Sequence, residues 1–435
     1  MILIYTTTMT PRIAYIIKHL FTSVLDVPVK LTINRAEFAQ YEGPKINYSN
    51  EASVGIHIHP HSLLFEQEVK IVNPGVSEYQ NIPILFPVSE TSSIPFDPFA
   101  AAFFMITRYE EYWLQPLDKF GRVLARSSMA YQHGFLEIPV VDHWTLMLQH
   151  LVESHYPSFH FPKRNYQYAP TFDVDIAFAY CHRSLWRTAA ATIKSILYQR
   201  FDDVHERFQV ILNNHPDPYD IFSWLYDFSV QHKISPLYFF QVGRYGRYDK
   251  NISPTFPAMK KLIRQTASHY QIGIHPSFQS NANKKLINEE ITTLESIIEK
   301  QITKSRQHFL KIHFPETYQH LISCGITDDY TMGYASRPGF RAGTCTPFRF
   351  YDLSTETETG LNIHPFQIMD GTLNQYMHLS PLEAIDCISR INNEVRKVNG
   401  TFISLWHNES LSEMHEWCGW QDVFLGLIKI AAVKN

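Results

Sequence analysis

A chain of 435 residues is too long for a single ordinary hydrophobic core, and we therefore expect two domains. Hydrophobic residues make up 45% of the chain and charged residues 18%, a composition that excludes an intrinsically disordered protein. The formal net charge of -4 and the lack of long Lys or Arg runs argue against binding to nucleic acids or to anionic membranes.

The cysteines and the N-terminus predict a location for the protein. The five cysteines are odd in number, widely spaced and without a Cys-x-x-Cys pair, which favours free thiols in a reducing compartment. The first residues lack the basic region of a signal peptide. No apolar run approaches the ~20 residues of a membrane-spanning helix. We therefore expect a cytoplasmic protein without a transmembrane segment.

The first 165 residues have the pattern of a small α/β module. Short apolar strands are predicted at residues 2–5, 29–33 and 45–48, and an amphipathic helix at 12–25. A strongly aromatic helix follows Pro95, and its apolar spacing indicates packing between layers. The polar segment 162–165 is the predicted boundary, which gives domains of residues 1–165 and 166–435.

Three histidines alternate along a predicted strand at residues 54–61 of this module. His57, His59 and His61 would share one face of the strand. Such a row is either a set of exposed edge-strand side chains or a group of metal ligands. Both interpretations stay open at this point.

From residue 168 onwards the pattern changes to short apolar strands that alternate with longer helices. Strands are predicted at residues 168–175, 236–243, 272–277, 309–312 and 402–406, with helices at 185–213, 219–231, 258–268 and 287–302. Repeated βα units predict a parallel sheet or barrel. Chemistry in such a fold belongs at the C-terminal ends of the strands.

Polar side chains occur at several of these strand ends. Asp173 and Asp175 are one residue apart, so they project to the same side of an extended backbone. That arrangement suits a metal ligand beside a general base, although an Asp-rich strand end that turns into a loop has the same pattern. The other polar residues at or beside strand ends are His275, Arg306, His308 and His407.

These residues resemble the motifs of the NodB-type polysaccharide deacetylases. The segment Thr171-Phe172-Asp173-Val174-Asp175 is similar to the family's Thr-Phe-Asp-Asp-Gly, and Leu405-Trp406-His407 to its closing Leu-x-His. His275 is similar to the first histidine of its metal motif. The resemblance implies a distorted (β/α) barrel and the metal-dependent removal of N- or O-linked acetyl from a sugar or polysaccharide. It makes Asp173 the general base, Asp175 and His275 metal ligands, and His407 the general acid.

A second resemblance covers nearly the whole chain. Segments 108–112, 273–277, 339–344 and 405–408 are similar to those of a bacterial subgroup of polysaccharide deacetylases that carries its own N-terminal domain of unknown role. This resemblance implies an α/β barrel preceded by a smaller α/β domain, and it leaves the substrate open.

One position departs from the family pattern. Gln279 stands where the second metal histidine of the family would be, and an amide is a poor zinc ligand. Catalytic zinc normally takes three protein ligands and a water. Our hypothesis is that His308 completes a site for Zn²⁺ or a similar divalent ion with Asp175 and His275.

Three further residues have expected roles in the site. Either Arg306, by its order along the chain, or Arg341, in a Gly-flanked loop, would hold the carboxylate of Asp173, as an arginine does in the family. Asp370 would orient His407 in the way that a carboxylate fixes an imidazole tautomer.

Two other functions remain possible from the sequence. Because Gln279 replaces a histidine, the chain could be a carbohydrate-binding protein without catalytic activity on the same fold. Alternatively, it could be an amidohydrolase-like enzyme whose metal ligands are His57, His59 and His61.

Overall fold

The computed structural model of the chain describes residues 1–51, 55–88, 91–113 and 115–432, so Val54 of the predicted strand 54–61 lies outside them. The described residues form a four-stranded sheet, a two-stranded hairpin and a nine-stranded sheet, with helices packed around them. The α/β fold class expected from the sequence is confirmed. None of the described helices is long and apolar enough to cross a lipid bilayer.

The N-terminal sheet is parallel and has the strand order β2-β1-β3-β4. Its strands are β1 (Ile2–Thr6), β2 (Val29–Thr32), β3 (Lys45–Tyr48) and β4 (Ile56–Ile58). Between β1 and β2 the chain forms helix α1 (Pro11–Ile17), which continues as a π-helix over Lys18–Val24. The side chain of Thr10 caps α1 by accepting a hydrogen bond from the Ile13 amide.

Further helices follow in the N-terminal half of the chain. They are α2 (Arg35–Gln40), α3 (Pro98–Ile106), α4 (Met129–Gln132) and α5 (Val140–His155). Every residue of α3 is buried, and Asp97 caps the helix through the amides of Phe99 and Ala100. A hairpin of β5 (Val76–Tyr79) and β6 (Ile82–Leu85) precedes α3. Its turn residues Gln80 and Asn81 both have positive φ, as a tight hairpin turn requires.

The large sheet has the strand order β12-β13-β11-β10-β9-β8-β7-β15-β14. Eight neighbouring strands are parallel, and β12 pairs with β13 in the antiparallel direction. The strands are β7 (Gln167–Val174), β8 (Leu237–Phe240), β9 (Ile272–Ile274), β10 (Lys304–Ser305), β11 (Asp328–Asp329), β12 (Phe348–Asp352), β13 (Thr357–Ile363), β14 (Ile368–Met369) and β15 (Thr401–His407).

Helices lie between strands of this sheet along the chain, and the last of them follows β15. They are α6 (Leu185–Leu197), α7 (Phe201–Leu212), α8 (Phe222–His232), α9 (Pro257–His269), α10 (Lys284–Ile298), α11 (Glu316–Ser323), α12 (Pro381–Lys397) and α13 (Trp420–Ala431). The predicted helical stretch 185–213 is divided into α6 and α7 around Gln199, which has a left-handed φ of 56°. Helix α12 begins with a capping box in which Ser380 and Glu383 satisfy each other's backbone amides.

The sheet is concave, but its described residues do not close into a barrel. The guanidinium of Arg306, just after β10, lies 4.7 Å from the ring of Phe239 on β8 and 5.7 Å from the ring of Phe366 before β14. These strands are far apart in the sheet order, so their side chains meet only because the sheet curls. Strands β12 and β14 remain its two edges among the described residues.

The fourth strand of the large sheet lies earlier than the sequence predicts. It is the two-residue strand β10, whereas the predicted strand at 309–312 begins with a turn over His308–Leu310. Phe309 has a left-handed φ of 61°, which breaks the extended backbone. The apolar residues of this segment pack in the wall of a cleft instead of the sheet, since Leu310 belongs to a buried cluster with Ile403 and Leu405.

A buried ion cluster joins the two halves of the chain. The Arg341 guanidinium donates two hydrogen bonds to Glu111, at 2.6 and 3.0 Å, and Arg108 donates a third at 2.9 Å. Burial alone would raise the pKa of the Glu111 carboxyl, but Arg341 and Arg108 outweigh burial and lower it to about 2. Arg341 is therefore bound to Glu111 and not to Asp173, so its predicted site role is wrong. The domain boundary at residue 165 stays a prediction.

The buried position of this cluster predicts a large cost for breaking it. The substitution Arg341→Met leaves the Glu111 carboxylate without one of its two buried arginine partners. We therefore expect the free energy of unfolding to fall by about 3–5 kcal/mol. The control is Arg390→Met, which breaks the exposed Arg390–Glu137 pair and should cost about 0–1 kcal/mol. Urea denaturation followed by circular dichroism measures both; equally small losses would contradict the role of the cluster.

Candidate metal centre

The pairing of the strands brings the predicted site residues to one edge of the large sheet. Asp173 on β7 lies opposite His407 on β15, and on its other side it lies opposite Phe239 on β8. His275 directly follows β9, which pairs with β8. These positions are the C-terminal ends of parallel strands, where the alternation of side chains turns all of them to the concave face.

Three imidazoles converge on the carboxylate of Asp175. Nε2 of His275 lies 3.0 Å from its Oδ1, while Nε2 of His308 and His407 lie 3.3 and 3.7 Å from its Oδ2. One potential ligand atom from each of Asp175, His275 and His308 lies within 4.8 Å of the others. The side chains that the sequence hypothesis assigns to the metal are thus neighbours.

Each of the three rings is held through its other nitrogen. Nδ1 of His275 lies 2.6 Å from the backbone carbonyl oxygen of Arg306. Nδ1 of His308 contacts the Asp249 carboxylate at 2.8 Å, and Nδ1 of His407 contacts the Asp370 carboxylate at the same distance. Carbonyl and carboxylate oxygens only accept hydrogen bonds, so Nδ1 carries the proton in each ring. With Nε2 deprotonated, each ring directs the lone pair of that atom towards Asp175, as metal-binding histidines do.

The chemistry of this donor set fits a divalent cation. The Nε2 lone pair of a neutral His275 faces Asp175 Oδ1, a buried atom without a hydrogen-bond partner among the described residues. Two acceptors in contact are unfavourable unless a proton or a metal ion lies between them. Ligands about 2.1 Å from a tetrahedral zinc ion are about 3.4 Å apart, close to the 3.0 and 3.3 Å contacts of His275 and His308 with Asp175.

The electrostatics of the cluster also favour positive charge. Burial would raise the pKa of Asp175, but His308 and His275 lower it well below its ordinary value. Burial would lower the pKa of His308, but Asp175 and Asp249 raise it to about 9. Protons and a metal ion would therefore compete for the same nitrogen atoms, and binding of a metal would release protons.

Arg306 holds the second carboxylate of the pair. Its Nη1 donates to Asp173 Oδ1 at 2.9 Å, and its Nε donates to the carbonyl oxygen of Tyr330 at 2.9 Å. Both side chains are buried. The other carboxylate oxygen of Asp173 lies 3.8 Å from Nε2 of His275, so Asp173 stands beside the converging ligands.

Asp370 fixes the position of His407 at two points. Its Oδ2 accepts from the backbone amide of His407 at 2.7 Å, and its Oδ1 accepts from the ring. Burial would lower the pKa of His407, but Asp370, Asp175 and Asp173 raise it well above its ordinary value. Nε2 of His407 faces the cleft and is able to hold a proton there.

Gln279 stands apart from this cluster. Its side chain is exposed and packs closely against Gly246. A larger residue at position 246 would clash with it, since the Cβ of that residue would lie 2.2 Å from the side-chain amide nitrogen of Gln279. It does not line the cleft that contains Asp175 and His275. The position that holds a ligand in the family motif therefore contributes no ligand atom in this structure.

The N-terminal histidines do not converge on a common point. Both ring nitrogens of His57 are engaged by backbone carbonyl oxygens, those of Thr91 and Ser49, at 3.0 and 2.8 Å. The ring of His61 accepts a hydrogen bond from the amide of Leu63. The alternative with His57, His59 and His61 as metal ligands is therefore wrong, because the side chain of His57 serves to satisfy buried backbone groups.

Two acidic residues at the site were not anticipated from the sequence. Asp249 holds His308 from the loop after β8, and Glu409 lines the cleft two residues after His407. Burial raises the pKa of Glu409 to about 7, and the nearby charges of His407 and Asp175 act in opposite directions. The sequence signal that could have identified both residues is their position in the segments that follow strands β8 and β15.

The N-terminal half of the chain supplies part of the cleft wall. Nη1 of Arg122 donates to the carbonyl oxygen of Phe309 at 3.0 Å, and its Nη2 donates to the hydroxyl of Tyr376 at 2.9 Å. A second cavity, walled by residues 117–126, shares Arg122, Leu310, Ala335 and Tyr376 with the cleft. Open space therefore extends from the candidate metal centre towards the N-terminal half.

Comparison with known proteins gives different results for the two halves. Residues 2–157 match the model of a family described as "Family of unknown function (DUF7033)". A search of curated protein sequences found no significant match.

Solved structures similar to the chain include three proteins. A candidate polysaccharide deacetylase from Mycobacterium smegmatis has 13% identity and a TM-score of 0.39, over 63% of this chain and 88% of that one. The polysaccharide deacetylase Bc1974 from Bacillus cereus has 10% identity and a TM-score of 0.30, over 61% and 87%. IcaB from Ammonifex degensii has 11% identity and a TM-score of 0.22, over 39% and 84%.

These similarities are too low to carry a functional argument. The motifs of the chain resemble those of polysaccharide deacetylases, and residues 2–157 match a family of unknown function.

Proposed function

We propose that this protein is a metal-dependent hydrolase that removes an N- or O-linked acetyl group from a carbohydrate. The observation that carries the proposal is the convergence of His275 and His308 on Asp175, with each Nδ1 held by an acceptor. The sequence resemblance supplies the substrate class. The fold expected from that resemblance is a distorted (β/α) barrel, and the described residues form a concave, mostly parallel sheet.

The residues of the cleft have distinct roles in this proposal. Asp175, His275 and His308 would hold the ion, zinc or a similar divalent cation. When bound, such an ion lowers the pKa of a water and polarises a carbonyl group. Asp173, oriented by Arg306, would accept the proton of the attacking water. This division requires both carboxylates of the Asp-x-Asp pair, one as ligand and one as base.

His407, which lies on β15 beside Asp173 of β7, would carry out the last proton transfer of the reaction. Its Nε2 faces the cleft, so it would donate a proton to the leaving amine or alkoxide. Asp370 is a positioning residue that keeps the ring in the required tautomer. Tyr376 and Trp417 also line the cleft.

A carbohydrate-binding protein without catalysis is the second candidate. Gln279 favours this candidate, because it occupies the position of the family's second metal-binding histidine. The position of His308 favours the hydrolase, because it provides a third ligand from another strand end. Measurements of bound metal and of acetate release distinguish the two candidates. The hydrolase binds metal and releases acetate, whereas the carbohydrate-binding protein releases none.

The ligand set predicts which substitutions remove the metal. Wild-type protein should bind about one equivalent of zinc, and His308→Ala and Asp175→Ala should bind less than a tenth as tightly. Asp249→Asn should weaken binding by about 10–100-fold, because it loosens the hold on His308. The matched control is Gln279→Ala, which should retain full affinity. Competition with a chromophoric chelator measures each value, and undiminished binding in both ligand variants would refute the site.

The role of Asp173 predicts a separation of binding from turnover. Asp173→Asn should keep its fold and its zinc but release acetate from acetylated oligosaccharides about 10²–10⁴-fold more slowly, because the general base is lost. Circular dichroism and the zinc titration serve as controls for the same preparation. Turnover at the wild-type rate would remove Asp173 as the base, and a zinc-loaded wild-type protein inactive on N- and O-acetylated sugars would favour the binding protein.

A further inference from the structure

Helices α6 and α7 present an unusual apolar surface to solvent. Leu185 is 90% exposed, Trp186 80% and Leu197 75%. Ile193, Tyr198 and Phe201 are also exposed on the same stretch of chain. Soluble proteins scatter single exposed apolar residues, whereas a concentration of large ones marks an interaction surface.

Helices α6 and α7 contact each other through polar side chains, and most of their large apolar residues are exposed. Val210 of α7 is an exception, because it is buried in a cluster with Ala179 and Tyr180. Arg207 of α7 donates to Thr192 of α6 at 3.0 Å and contacts Ser195 at 3.4 Å. Ser195 is the one buried residue of α6, and the exposed Phe208 and Leu212 continue the apolar surface on α7. This arrangement is the reverse of a core-facing amphipathic helix.

Basic residues border the apolar surface. Residues 182–201 contain Arg183, Arg187, Lys194 and Arg200 and no acidic residue. Arg187 stacks on the ring of Tyr245 at 3.8 Å, which places the loop of residues 243–250 beside α6.

That loop adds further positive charge. Arg244 and Arg247 are exposed in it, and Lys250 is partly exposed. The acidic groups nearby are Glu289, 3.9 Å from Arg244, the exposed Asp202 in the first turn of α7, and the exposed Asp220 near His182. The buried Asp217 accepts hydrogen bonds from the backbone amides of Ala179, Tyr180 and Cys181. The other two acidic residues of α7, Asp203 and Glu206, are partly buried. The Asp203 carboxylate lies 2.9 Å from Nε2 of His415.

We propose that α6, α7 and the loop of residues 243–250 bind the surface of a membrane that contains anionic lipids. Exposed Trp and Leu side chains bordered by Lys and Arg are the composition of helices that lie in the interface of a bilayer. Anionic headgroups complement the basic border, and each basic side chain near them adds to binding. A second copy of the chain fits less well, because a symmetric contact would bring the two basic α6 helices together.

The membrane-binding surface is connected to the candidate metal centre. Helix α6 begins in the segment that follows Asp175. Asn408, next to His407, donates hydrogen bonds to the carbonyl oxygens of Ile176, which precedes α6, and Tyr219, which follows α7. The loop of residues 243–250 also contains Asp249. The proposed membrane contact therefore lies on the same edge of the sheet as the cleft, although its test does not depend on catalysis.

Sedimentation of the full-length protein with lipid vesicles tests the apolar part of the surface. Wild-type protein should sediment with phosphatidylcholine vesicles that contain phosphatidylglycerol. The double variant Leu185→Ser/Trp186→Ser should need about tenfold more lipid for half-maximal binding. The matched control Ile71→Ser/Leu382→Ser replaces residues that are 85% and 77% exposed elsewhere and should bind like wild type.

The basic part of the surface is tested with the same vesicles. Arg244→Gln/Arg247→Gln should weaken binding by about tenfold, whereas Lys300→Gln/Lys429→Gln, which removes two exposed charges elsewhere, should have little effect. Pure phosphatidylcholine vesicles and high salt should both reduce wild-type binding.

Two outcomes would overturn the proposal. One is wild-type protein that does not sediment with anionic vesicles, or that binds no better than the Leu185→Ser/Trp186→Ser variant. The other is a wild-type dimer in light scattering that this variant converts to a monomer without any vesicle binding, which would make the surface an interface between copies.

Discussion

The carboxylate of Asp175 organises the polar end of the large sheet. A buried carboxylate is costly unless positive charge or hydrogen-bond donors surround it. Three imidazoles reach it from different strand ends, and each is oriented from behind by an acceptor that only a folded sheet brings into place. The curl of the sheet brings these strand ends together, and Asp249 and Asp370 orient His308 and His407 around this group.

Much of this site was predictable because parallel strands gather their C-terminal ends at one edge. Asp173, Asp175, His275 and His407 follow recognisable strands and resemble known motifs, so their meeting could be expected. His308 followed from the need for a third ligand, even though the strand beside it was placed several residues too late.

The remaining features depend on contacts that local sequence patterns do not encode. Arg306 and Arg341 were equal candidates for Asp173, and only the buried Glu111 in the other half of the chain distinguishes them. Asp249 lies in a loop without a motif. The row of His57 and its neighbours was ambiguous because a histidine that satisfies backbone carbonyls has the same spacing as one that binds a metal.

The two halves of the chain form a continuous structure at the cleft. The Glu111 cluster ties them together, and Arg122 brings a loop of the first half against Phe309 and Tyr376. The net charge of the whole chain, which argued against membranes, conceals the local basic border of α6. Position of charge, not its sum, decides what a surface attracts.

Anomalous diffraction at the zinc absorption edge, from crystals of the wild-type chain grown with Zn²⁺, tests most directly whether Asp175 is the centre of a metal site. The predicted result is one strong peak about 2.0–2.2 Å from a carboxylate oxygen of Asp175 and from Nε2 of both His275 and His308. A peak bound by Gln279 or His57 instead, or zinc-containing crystals without a peak at Asp175, would contradict the proposed hydrolase.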